Sequence, residues 1–165
     1  MSTAQPAEDR WQIADLLARY ARAVDRCDLT LFDQVWAEDA TVDYGGGPED
    51  AAAWSAGLLQ RLGAMERTQH ALSNSLVELD GDHATAETMC TAYHRFDDGG
   101  GMKAMIVGGR YLDSLVRTPA GWRITARRYV IDWNETTPST CEIAAGRFAR
   151  FTTVGARAPH DPSYG

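Results

Sequence analysis

The chain has 165 residues, 44% hydrophobic and 24% charged, with a formal net charge of −7. That length implies a single domain, residues 1–165, with a real core. The acidic balance argues against nucleic-acid or anionic-membrane surfaces, which need clustered Lys and Arg. The three cysteines, Cys27, Cys90 and Cys141, form no C-x-x-C pair, so neither a disulfide framework nor a zinc or redox motif is expected. No run approaches the roughly 18 apolar residues of a membrane span. The N-terminal "MSTAQPAEDR" carries no apolar signal segment, so a cytoplasmic protein is expected.

In chain order, the first element is a helix from Ala7 to Arg26, with Ile13, Leu16, Leu17, Tyr20 and Val24 at helical spacing. Asp25 continues the row Leu17, Ala21, Asp25, which puts a carboxylate at the flank of the core-facing stripe. An acid there costs free energy unless it is paired. Asp28 suits the N-cap of a short second helix carrying Leu29, Phe32, Val35 and Trp36. "ATVDY" alternates as a strand with Ala40, Val42 and Tyr44 on one face, and Gly45 to Pro48 break it. Glu49 and Asp50 suit the positive end of a third helix holding Trp54, Leu58, Leu59 and Leu62.

From Thr68 the pattern changes to long strands. "HALSNSLVEL" and "HATAETMCTAYHRF" are joined by Asp80-Gly81-Asp82, a hairpin signal. "DDGGG" separates a strand from Met102 to Val116, and "RTPAG" separates the last, from Trp122 to about Trp133. The core thus covers about residues 7–134. A C-terminal tail, 135–165, is expected to wrap the body with one helical turn around Glu142 to Phe151. Helices followed by strands indicate an α+β fold. The pair Gly108-Gly109 is a place for a long strand to bend. A bent sheet with helices on its concave face makes a cone around a pocket.

The segments "IADLLARYARAVDRCD", "LFDQVWAEDATVDYG", "HALSN", "DGDHATAET" and "GWRITARRYVIDW" together resemble the SnoaL-like family of the nuclear transport factor 2-like superfamily. Bile-acid dehydratases, hexachlorocyclohexane dehydrochlorinase and scytalone dehydratase are similar members. The resemblance implies a cone-shaped α+β barrel, with three N-terminal helices packed on a strongly curved, mostly antiparallel mixed sheet. It also implies an Asp-His dyad, which falls on Asp25 and His70, 45 residues apart. Tyr20 and Tyr44 match two tyrosines that accompany the dyad in the bile-acid enzymes. Arg127 matches an arginine in the pattern W-x-I-x-x-R. Related dehydratases imply a homotrimer built through the open sheet face, with a dimer as second choice.

An Asp bonded to one ring nitrogen of His fixes the tautomer and leaves the other nitrogen as a base. Such a base takes a proton directly from carbon near neutral pH, without a nucleophilic Ser or Cys. Tyr20 and Tyr44 offer hydrogen bonds to a carbonyl or departing hydroxyl, or serve as core with tied hydroxyls. Arg127 offers a cation for developing charge. Its neighbour Arg128 has the opposite strand parity, and the sequence leaves open which points inward. Asn74, four residues after His70, either binds substrate or satisfies a buried backbone group. His83 and His94 read as structural or exposed. No metal-ligand spacing, dinucleotide fingerprint or phosphate loop is present, so no cofactor is expected. Of the five tryptophans, one or two lining a pocket would suit a flat, aromatic or polycyclic ligand.

The expected activity is a cofactor-independent lyase, a dehydratase or other β-eliminating enzyme, on a small hydrophobic cyclic or polycyclic molecule. Three alternatives stand beside it. One is an isomerase of the ketosteroid type, which uses an Asp base. Another is an epoxide hydrolase, for which Asp132 lies near Arg127 in sequence. The third is a non-catalytic small-ligand-binding or interaction module.

Overall fold

The first helix, α1 (Ala4–Arg26), begins earlier than the apolar spacing predicts. The computed structural model describes residues 4–165. The buried face of α1 is Ile13, Leu16, Leu17, Tyr20, Ala23 and Val24, the stripe marked by the periodicity. Asp9 near its start is buried too, and accepts from Arg117 at 2.6 and 2.7 Å and from the Trp122 indole at 3.2 Å. The Arg117 hydrogen bonds outweigh the upward push of burial and hold the Asp9 carboxyl down at about 2. This contact ties the helix start to a strand end 108 residues away.

The other end of α1 closes in a Schellman turn. Cys27 takes the left-handed conformation (φ +50), its N–H donates to Val24, and the Asp28 N–H donates to Ala23. Asp28 then caps a 3-10 helix, Leu29–Gln34, of about two turns, where the spacing predicts a short helix reaching Trp36. The sheet sets this limit. The Val35 carbonyl accepts from the Ile124 N–H at 2.9 Å, and Trp36 already opens strand β1 (Trp36–Asp43). β2 (Glu49–Asp50) folds back on β1, and Asp50 caps α2 (Ala51–Gly63) by accepting from the Ala53 N–H. Among the described residues the N-terminal half therefore holds two α-helices with a short 3-10 helix between them, in place of three α-helices.

The long strands are β3 (Arg67–Asp80), β4 (His83–Asp97), β5 (Met102–Thr118) and β6 (Gly121–Pro138). The sheet order is β2-β1-β6-β5-β4-β3, antiparallel except where β1 runs parallel to β6. α1 lies against β3 and β6, and α2 against β1. The inner face of β4 is Ala84, Ala86, Thr88, Cys90, Ala92 and His94, all buried. Small side chains there leave room inside the curved sheet. Among the described residues, no helix is long and apolar enough to cross a membrane. The tail forms the one helical turn expected over 142–151, a 3-10 turn at Gly146–Phe148, and its last residues return to the end of α1.

The bend falls at Gly108-Gly109, where the β5–β6 register shifts. A Cβ on Gly109 would collide with the Val130 carbonyl and the Tyr129 ring, and one on Gly108 with the Trp133 indole. Close approach of β6 is what requires glycine here. Gly109→Ala should lose about 1–3 kcal/mol in urea unfolding, the scale of overpacking. Gly63→Ala, where a Cβ meets nothing within 4 Å, should be neutral or gain up to about 1 kcal/mol.

Candidate active site

The last turn of α1 and the first residues of β3 meet at a double contact. One oxygen of Asp25 lies 2.7 Å from His70 Nδ1, and the other accepts the His70 backbone N–H at 2.7 Å. Burial pushes the Asp25 carboxyl up, but the hydrogen bonds and charge of His70, with the Thr68 hydroxyl, outweigh it and hold it below its ordinary value. The carboxylate is ionised, so Nδ1 carries the proton that it accepts. The His70 Nε2 has no hydrogen-bond partner among the described residues.

His70 borders a cavity of about 140 Å³ inside the cone. Its other walls are Tyr20, Tyr44, Trp54, Leu58, Leu62, Cys90, Ala92, His94, Val107, Tyr111 and Tyr129. The Tyr20 and Tyr44 hydroxyls lie 2.9 Å apart. Tyr44 stacks between Trp54 (ring centroids 4.3 Å apart) and Tyr129 (5.1 Å). Burial raises both phenols, Tyr44 well above 10, so both keep their protons. Two hydroxyls joined by one hydrogen bond have one O–H left to donate. The structure thus brings Asp25, His70, Tyr20 and Tyr44 to one place.

Two predicted binding residues stand elsewhere. Arg127 points inward because the β5–β6 register shift between Ile124 and Ala126 reverses the parity set by the buried Trp122 and Ile124, but its side chain is wholly buried and does not line the cavity. Its Nε and Nη2 donate to the two oxygens of Asp113, each at 2.7 Å. The guanidinium is sandwiched between the Tyr20 and Tyr111 rings, 4.0 Å from each centroid. The reason is register: Asp113 on β5 is directly opposite Arg127 on β6. The expected substrate-side cation is therefore one half of an ion pair behind the tyrosines. Arg128 points outward, with Nε 3.9 Å from Asp43. Asn74 is exposed, and its amide donates to the Met89 sulfur at 3.3 Å. A bulge between Ser73 and Leu76, with Asn74 at φ +48, breaks the alternation that would have aligned it with His70. Asp132 pairs with Arg110, not with Arg127.

The sequence leaves His94 as structural or exposed and does not single out Asp113. The His94 ring stands edge-on to His70 with centroids 5.5 Å apart. Burial, then the neighbouring His70, lowers its imidazole to about 4, so it is neutral. Its Nδ1 has no hydrogen-bond partner among the described residues. Both residues had a parity signal: His94 continues the inward row from Ala84, and Asp113 lies between the inward Tyr111 and Leu115.

A family model for the SnoaL-like domain matches residues 5–128. The chain belongs to that family. An uncharacterized protein of Mycobacterium tuberculosis is 35% identical over 122 residues, covering 72% of this chain and 82% of that one. Two solved structures share the fold. A protein described as a putative scytalone dehydratase from Novosphingobium aromaticivorans superposes with a TM-score of 0.72 at 19% identity, covering 86% of this chain and 94% of its own. A hexachlorocyclohexane dehydrochlorinase from Novosphingobium barchaimii gives 0.74 at 14% identity, covering 86% and 99%. The nuclear transport factor 2-like architecture expected from the sequence is thus the observed one.

The buried groups lead to two stability measurements. Arg127→Met should cost about 3–5 kcal/mol by leaving Asp113 buried and unpaired, and adding Asp113→Leu should recover most of the loss. His94 has a folded value near 4 and an ordinary unfolded value near 6.5. Between those values the unfolded chain binds more protons, so its contribution is full above 6.5 and is lost as pH falls toward 4. Urea unfolding from about pH 7 to about pH 4.5 should show this loss in the wild type, and His94→Gln should show a shallower decline.

Proposed function

We propose that the protein is a cofactor-independent lyase that eliminates water or another small leaving group from an uncharged ring compound. The observation that carries this is the Asp25–His70 pair at the wall of an apolar cavity, with Nε2 unpartnered among the described residues and a tyrosine pair on the same cavity. Nε2 takes a proton from carbon, and the C–H electron pair becomes the new double bond. The group on the neighbouring carbon leaves with its bonding pair. A departing oxygen accepts a hydrogen bond from the Tyr20–Tyr44 pair and leaves as water after receiving the proton held on His70. Arg127 acts at one remove. Its charge pulls the Tyr20 phenol downward against burial, which strengthens the pair as a donor.

The cavity volume supports a one-ring substrate, since an apolar cavity of about 150 Å³ is enough for benzene. A polycyclic body would require the Trp54–Tyr44–Tyr129 stack to part. A cavity that side chains do not fill favours chemistry over a purely structural module. Lyases named among similar folds, a dehydratase and a dehydrochlorinase, support elimination as the reaction class. A second reading rests on the tyrosine pair, which would equally stabilise an enolate. In that case the same base moves a proton between carbons and isomerises an unsaturated ring ketone. Leu76 and Met89 are exposed on the outer face of the sheet. They support the proposal of self-association there, as a homotrimer with a dimer as second choice, which light scattering distinguishes from a monomer.

Monocyclic β-hydroxyketones and halogenated cyclohexanes are suitable substrates for the test. Release of water or halide with a new alkene supports the lyase, while an isomer of unchanged mass supports the second reading. His70→Ala and Asp25→Asn should each remain folded and lose about 10²-fold or more in kcat, the scale of a positioned acid–base group. The rate should fall on the acid side, because the His70 imidazolium cannot accept a proton. A rate that stays level through the acid limb contradicts the mechanism.

A further inference from the structure

We propose that Arg157, in the C-terminal tail, is a positioning residue for the Asp25–His70 pair; this rests on reading that pair as the catalytic centre. The last four carbonyls of any helix lack helical partners. In α1 these belong to Ala23, Val24, Asp25 and Arg26. The Schellman turn satisfies the first two, through Asp28 and Cys27. The tail satisfies the others: Arg157 Nη1 donates to the Asp25 carbonyl at 2.5 Å, and the Ala158 N–H donates to the Arg26 carbonyl at 2.7 Å.

The same guanidinium reaches two further elements. Nη1 donates to Thr68 Oγ1 at 2.7 Å, and Nη2 donates to the carbonyls of Leu62 at 2.9 Å and Met65 at 3.3 Å. Arg157 therefore joins the end of α1, the end of α2 and the start of β3. Those ends carry Asp25, the cavity-lining Leu62 and, two residues beyond Thr68, His70. The dyad spans two of these elements, so their spacing sets its geometry, and a displacement of about 1 Å in such a site can cost about 10² in rate. A planar fork with five donors serves several acceptors at once, which a lysine ammonium does not reproduce. Arg157 lies outside the SnoaL-like match at 5–128, so in this chain the tail supplies the brace.

The tail has anchors independent of Arg157. Asp161 lies 3.3 Å from Arg26, and the Tyr164 hydroxyl donates to Asp28 at 2.8 Å. Loss of the Arg157 contacts can thus be separated from loss of the tail.

The test uses the full chain with ¹⁵N-labelled histidine, comparing wild type, Arg157→Gln, Arg157→Lys and the tail control Tyr164→Phe. Two readouts report the dyad without any substrate: the His70 Nδ1–H resonance, and hydrogen exchange of the His70 amide that donates to Asp25. Arg157→Gln should lose or broaden the Nδ1–H signal and speed His70 amide exchange by about tenfold or more. Arg157→Lys should fall between it and wild type. Tyr164→Phe should leave both readouts unchanged even if its melting temperature drops. With a substrate in hand, Arg157→Gln should lower kcat with little change in KM. An unchanged Nδ1–H signal and unchanged His70 exchange in Arg157→Gln overturn the proposal. If that variant fails to fold, Arg157→Lys decides by the same two readouts. A fully active His70→Ala would instead remove the catalytic reading and leave the positioning result standing.

Discussion

Both carboxylate oxygens of Asp25 accept from one residue, His70, and much of the molecule is arranged around that contact. A buried carboxylate is tolerated only when its acceptor positions are filled. Here one bond is to backbone and one to side chain, and they do different things. The backbone bond fixes where β3 starts against the end of α1. The ring bond holds Nδ1 on the carboxylate and so orients the imidazole that borders the cavity. Strand register and chemical orientation are therefore set by a single pair of residues. The Schellman turn, the 3-10 helix after it and the returning tail all converge on the helix end that bears Asp25.

A second buried pair shapes the opposite wall. Arg127 and Asp113 are wholly desolvated, in bidentate contact, with tyrosine rings on both faces of the guanidinium. Replacing such a pair by apolar groups is often neutral for stability, so its presence is not explained by stability alone. Its consequence is local: it fixes Tyr20 and Tyr111 and places a positive charge behind a hydroxyl that faces the cavity. The wall thus presents neutral donors whose polarity comes from a charge that substrate never touches.

The legible part of this architecture is the part written in local periodicity. The α1 stripe, the acidic start of α2, the Asp80–Asp82 hairpin and the irregularity at Gly108-Gly109 all arise from residues near one another in sequence. Asp25 stands out because its row is apolar. His70 does not stand out by itself; only the family resemblance connects the two. Asn74 is misplaced by strict alternation because one bulge reverses the strand's parity beyond it, and nothing local announces that bulge. Whether Arg127 or Arg128 points inward is left open by the sequence because a register shift before Ala126 decides it, and the partner of Arg127 is Asp113 rather than a substrate, since that pairing also depends on the β5–β6 register. The contacts of Arg157, 132 residues from Asp25, belong to tertiary structure and leave no spacing to read.

The role proposed for His70 is that of a base toward carbon inside the cavity. Exchange of carbon-bound hydrogen tests it even while the natural substrate is unidentified. In deuterated water, a small ring ketone such as cyclohexanone should lose its α-hydrogens faster with the wild-type protein than in buffer alone, as followed by NMR. With His70→Ala the exchange should return to the buffer rate. Equal exchange in the wild type and His70→Ala, with the ketone shown to occupy the cavity in both, would contradict that role.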